Sequence, residues 1–160
     1  VLGEVSMIVR GGSPHKDAYN AITGFEQELR RYISRKLEER FGPEWFRLRA
    51  SNLLGKAKQI RKAAMERGEK SAPLIEFVEL GDLNGIILDT KNWNDVFGDV
   101  FINKSEFDHD MQKLVAIRRP AMHARPIDGV RLTEMLCVMW RLSDRMKDDG
   151  AWKIAAESDR

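Results

Sequence analysis

Apolar residues recur along most of this chain at three- and four-residue steps, the period of one face of an α-helix. From about Asp17, the positions Ile22, Phe25, Leu29, Ile33, Leu37 and Phe41 form such a stripe, and "QELRRYISRKLEER" sets charges between them. Gly42 and Pro43 follow, one suited to ending a helix and the other to opening the next. A second helix is expected over about Glu44 to Arg67, closed by "RGEKSAP". The stretch "LIEFVELGDLNGIILDTKNWNDVFGDVF" carries apolar pairs at helical spacing, interrupted by Gly81, Gly85 and the turn-like "DTKN", and predicts two short helices. Asn103 or Ser105 can cap the next helix, with Phe107, Met111, Leu114 and Val115 on its buried side. A last helix places Leu132, Met135, Leu136, Met139, Leu142 and Met146 on one side. Only "VSMIVRGGSP" reads differently, as an extended segment closed by a Gly-Gly turn. The expected fold is therefore all-α: a bundle of about five helices, two of them long, spanning residues 17–150, with an N-terminal arm over 1–16 and a C-terminal tail over 151–160.

Composition narrows the class. The chain has 160 residues, 42% of them hydrophobic, enough for one domain with its own core. Twenty-seven Lys and Arg against 25 Asp and Glu exclude a uniformly basic coat and leave room for a local basic patch. The single cysteine, Cys137, excludes a disulfide framework and a Cys-rich metal site. The lone cysteine points to a reducing cytoplasm, and no apolar run reaches the roughly 18 residues of a membrane span, so no membrane partner is expected. A first residue of Val suggests a trimmed chain or a piece of a longer protein.

Candidate chemistry concentrates in "IRRPAMHAR", residues 117–125. An imidazole can give or take a proton near neutrality, and a guanidinium can grip a phosphate through two parallel hydrogen bonds. Attack of a ribose 2′-hydroxyl on its own phosphodiester needs both functions and neither metal nor cofactor. In an unbroken helix Arg118 and His123, five residues apart, diverge by about 140°. Pro120 is expected to end the helix at Arg119 and let them converge. As functional surface groups, both should be replaceable with stability changes of no more than about 0.5 kcal/mol. The competing structural reading has His123 bonding the last carbonyls of its helix and the arginines complementing the helix dipole. His109, in "EFDHDM", fits a solvated helix start better than a metal site. "KAKQIRKAAMER" fits a solvated helix surface, and less often a track for a phosphate backbone.

The segment Arg118-Arg119-Pro-Ala-Met-His123 resembles the Arg-x4-6-His signature of the HEPN superfamily (higher eukaryotes and prokaryotes nucleotide-binding). "FEQELRRYISRKLEERFGPEWF" looks like the first helix of that superfamily's nuclear-mRNA-surveillance-type branch, and "LIEFVELGDLNGIILDTKNWNDVF" is similar to its middle region. Together the resemblance covers about residues 20–145. It implies a HEPN-like helical domain acting as a homodimer, in which Arg and His pairs from two chains meet in one cleft and cut RNA without metal. Carried over, Arg118 stabilises the phosphate and His123 acts as acid/base, with Arg119, Arg30 and Arg31 as substrate-binding residues. Where the family most often has Asn after the motif arginine, this chain has Arg119. Two functions follow: an endoribonuclease, as in toxin or anti-phage systems with an antitoxin partner, or a non-catalytic module within a larger protein that binds RNA or nucleotide or mediates dimerisation.

Overall fold

A computed structural model describes the backbone of residues 14–122 and 126–158, and the side chains of 16–119 and 126–149. Of the arm expected over residues 1–16, residues 1–13 lie outside the described residues, and residues 14–16 belong instead to the first helix. Those described are all-α, without a strand among them. Helix α1 runs Pro14–Phe41 (28 residues), α2 Trp45–Arg49, α3 Leu54–Glu66 and α4 Leu80–Leu88. Then α5 (Thr90–Asn92) passes through a π-helical turn, Trp93–Phe97, into α6 (Gly98–Phe101). Helix α7 spans Lys104–Met122 (19 residues), and α8 spans Gly129–Ser158 (30 residues), continuing past the expected start of the tail. The chain divides into two compact units, Gln27–Gly98 and the remainder.

In the Gln27–Gly98 unit the predicted stripe of α1 is realised: Leu29, Ile33 and Leu37 are buried with Leu80, Leu83, Ile87 and Phe97. Gly42 takes a left-handed φ of 80°, and its N–H reaches Glu38 O at 2.8 Å to close α1. The second helix, expected unbroken from Glu44 to Arg67, is interrupted at Ala50 (φ −138°, ψ 37°). The cause lies 43 residues away: the Asn92 side-chain amide donates at 2.8 Å to Arg49 O, drawing that carbonyl out of the helical ladder, and also at 2.8 Å to Ile86 O. Asn92 itself is fully buried. One side chain thus ties together the end of α2, the last turn of α4 and the end of α5.

Helix α3 ends in a Schellman turn, with Gly68 (φ 89°) N–H on Met65 O at 3.0 Å and Glu69 N–H on Ala64 O at 3.1 Å. Helix α4 begins with a capping box of Glu79 and Asp82. Gly81 and Gly85 stay inside α4, so the expected interruption falls at Asp89, whose side chain caps the N–H groups of Lys91 and Asn92. Gly98 has no room for a side chain, because a Cβ there would stand 2.9 Å from Trp93 O.

In the other unit Ala18, Ile22 and Phe25 from α1 are buried, as are Phe107, Met111, Leu114 and Ile117 from α7 and Leu132, Met135, Met139, Leu142 and Met146 from α8. Asn103, the expected cap, accepts from Glu106 N–H at 3.0 Å. Across α7 and α8, Arg141 donates to the buried Asp110 at 2.8 Å. Helix α7 does not stop at Arg119; it continues through Pro120 to Met122. A proline withdraws one backbone donor. Near a helix end that single lost bond is outweighed by the burial of four apolar side chains along α7. Asp128 caps α8 by accepting from Arg131 N–H at 2.8 Å.

Two stability predictions follow from these connections. Asn92→Ala leaves two carbonyls without their donor and should cost about 2–3 kcal/mol, read as a lower urea midpoint at unchanged slope. Ile102, 65% exposed, holds a left-handed φ of 65° that a β-branched residue tolerates poorly. Ile102→Asn should therefore raise stability by about 1 kcal/mol, and a loss of stability would show that the isoleucine makes a compensating contact.

Candidate functional site

Arg118 occupies the flank of the α7 stripe, one position past Ile117 and four past Leu114, both buried. Its Nε donates at 3.3 Å to Glu26 Oε2 on α1. The two side chains are 22% and 5% exposed respectively, so the pair sits at the edge of the core with its carboxylate inside and its guanidinium reaching the surface. Arg118 is thus half-buried, and the expectation of a surface group without structural partners is met only in its exposure. A carboxylate taken from water must be compensated, and Arg118 is one of the groups that compensates Glu26.

The other candidates fall as follows. Arg119 is exposed on the last described turns of the same helix. His123 lies outside the described residues. Arg30 belongs to the Gln27–Gly98 unit, where it is buried and donates at 2.7 Å to Val78 O. Arg31, next in sequence, is exposed. The expected catalytic Arg118 and the expected substrate-binding Arg30 thus hold tertiary contacts, while the other two expected substrate-binding residues, Arg119 and Arg31, face solvent. His109 is exposed on α7. Among the described residues no group of His, Cys, Asp or Glu side chains could hold a metal ion, and no helix is long and apolar enough to cross a membrane.

Glu26 was not among the candidates, although its position carries a signal. It stands four residues after Ile22 and three before Leu29, inside an otherwise apolar stripe. A charge in such a stripe requires a partner, and Arg118, 92 residues on, is one that the alternation of polar and apolar positions cannot name. Asp110 repeats the case on α7, three residues after Phe107, with Arg141 as its partner.

The arrangement can fix a guanidinium. Its Nε is engaged by a carboxylate whose own position is set by the core, which restricts the rotamers of a long side chain that would otherwise sample many. Compared with protein-family models, curated proteins and solved structures, the chain matches none of them.

The ion pair predicts a measurable coupling. Arg118→Ala should cost about 1–3 kcal/mol, because it removes a partner from a buried carboxylate. Combined with Glu26→Gln it should cost less than the two single changes together, by about 1 kcal/mol in a urea-denaturation double-mutant cycle. Additivity to within about 0.5 kcal/mol would show that the two side chains do not depend on each other.

Proposed function

We propose that the chain is a HEPN-type, metal-independent endoribonuclease, active as a homodimer, in which Arg118 holds the scissile phosphate and His123 moves the proton. The observation that carries the reading is the Glu26–Arg118 pair, which orients the guanidinium of the motif arginine at the edge of the core. A cation held in place before substrate arrives stabilises developing phosphate charge without reorganising during the reaction. In the reaction proposed, His123 takes the proton of the ribose 2′-hydroxyl as its oxygen bonds to phosphorus. The bond from phosphorus to the 5′-oxygen breaks, and that oxygen takes a proton from a protonated histidine of the second protomer or from water. The products are a 2′,3′-cyclic phosphate and a 5′-hydroxyl. No electron acceptor or metal enters the balance.

The same ion pair also favours a second reading. A guanidinium matched to a buried carboxylate can be wholly structural, and the domain would then be a non-catalytic module that binds RNA or nucleotide or serves dimerisation within a larger protein.

The two readings separate on one residue. Cleavage of a labelled RNA should persist in EDTA and follow a pH limb in the range where an ordinary imidazole titrates, about 6.5. It should fall by about 100-fold or more in His123→Ala, with circular dichroism unchanged. Cleavage equal in wild type and His123→Ala, or abolished by EDTA and restored by a divalent ion, would overturn the ribonuclease reading. A wild-type protein that is folded and dimeric but inert would favour the silent module.

A further inference from the structure

We propose that the exposed face of α3 carrying Lys58, Arg61 and Lys62 binds the phosphate backbone of a single strand of RNA. This deepens the preceding reading and rests on it only for the identity of the strand. Between Lys56 and Lys70 stand six basic residues and two acidic ones, in a chain whose formal net charge is +2. Six basic residues against two acidic ones make this segment, helix α3 and the turn that follows it, one of the basic stretches of the chain.

Internal pairing accounts for only part of that charge. Lys56 donates to Asp82 at 2.8 Å, and that bond holds its ammonium above the usual lysine range. Arg67 reaches Glu69 at 3.0 Å. Lys58, Arg61 and Lys62 have no ion-pair partner among the described residues. Their spacing of three and four residues puts them on one side of the helix. Met65, 50% exposed, follows seven residues after Lys58 on that same side and offers an apolar contact within the row of cations.

The occupant follows from this chemistry. Cations repeated along a helix whose single carboxylate, Glu66, stands at its last position attract a polyanion with repeated charges. A lipid surface fits less well, because an interfacial helix needs its apolar side available. Here that side, Ala57 and Ala64, is 0–1% exposed. A strand with unstacked bases can set its phosphates on the lysines and a base against the Met65 thioether. An acidic protein segment would engage the same charges, and the experiment below separates it from a nucleic acid.

Binding is measured by fluorescence anisotropy of a labelled uridine oligomer about twenty nucleotides long, in the His123→Ala background so that no strand is cut. Lys58→Glu combined with Lys62→Glu, both at exposed positions, should weaken binding by at least about tenfold. The slope of log affinity against log salt should shrink by about 1.4, or about 0.7 for each lost phosphate contact. Arg61→Ala, at a half-buried position, should act in the same direction, and circular dichroism checks that each variant is folded. A thymidine oligomer of equal length should behave alike, since lysines read phosphates rather than sugars. Unchanged affinity and slope in the folded double variant would overturn the proposal, whether or not the wild type cleaves RNA. Polyaspartate binding with the same dependence on Lys58 and Lys62 would also overturn it, assigning the face to an acidic protein. A wild type that cuts no RNA but loses affinity and slope on these substitutions would remove the ribonuclease reading alone.

Discussion

Burying a carboxylate is the constraint from which the packing of the unit outside Gln27–Gly98 proceeds. Glu26 and Asp110 sit inside apolar stripes and retain only a few per cent of their exposure, and a carboxylate withdrawn from water in this way needs a compensating partner. Each is met by an arginine from another helix: Arg118 reaches from α7 to α1, and Arg141 from α8 to α7. The apolar contacts alone would let these helices slide past one another at modest cost. Two buried carboxylates restrict that freedom, because each guanidinium must arrive where its acceptor is. Specificity of packing, more than net stability, is the expected yield of such pairs.

Within the Gln27–Gly98 unit an uncharged group performs the comparable task. The amide of Asn92 holds two carbonyls from separate helices, and the chain bends at Ala50 because one of them has left its ladder. Neither unit, therefore, has its geometry set by hydrophobic periodicity alone. The periodicity decides which side of each helix turns inward, and a few polar side chains decide where the helices start, stop and meet.

That division explains what could be read from the chain before its structure. The stripes of α1, α7 and α8 were legible because each keeps its period over several turns, and the all-α class follows from them. Gly42, Asn103 and the break at Asp89 were legible because their chemistry is local. The interruption at Ala50 was not, since its cause is an amide 43 residues downstream, and neither was the continuation of α7 through Pro120, where distributed packing outweighs a local rule. At the candidate site Arg118 stood out by its spacing from His123, while its partner Glu26 was visible only as a charge out of place in a stripe. Arg30 belonged to the same helix, but its burial against Val78 depends on how the chain returns 48 residues later.

The tryptophans fall unevenly across this architecture. Trp45 and Trp93, 6% and 8% exposed, both belong to the Gln27–Gly98 unit, whereas Trp140 on α8 in the other unit is 47% exposed. The crowding of Trp93 against Gly98 further fixes the surroundings of one indole. The emission of these three described tryptophans is consequently partitioned: short-wavelength emission, shielded from aqueous quenchers, comes from Trp45 and Trp93 in one unit, and long-wavelength, quenchable emission comes from Trp140 in the other. The molecule thereby carries its own optical labels, with which a loosening of one unit can be followed in solution while the other keeps its spectrum.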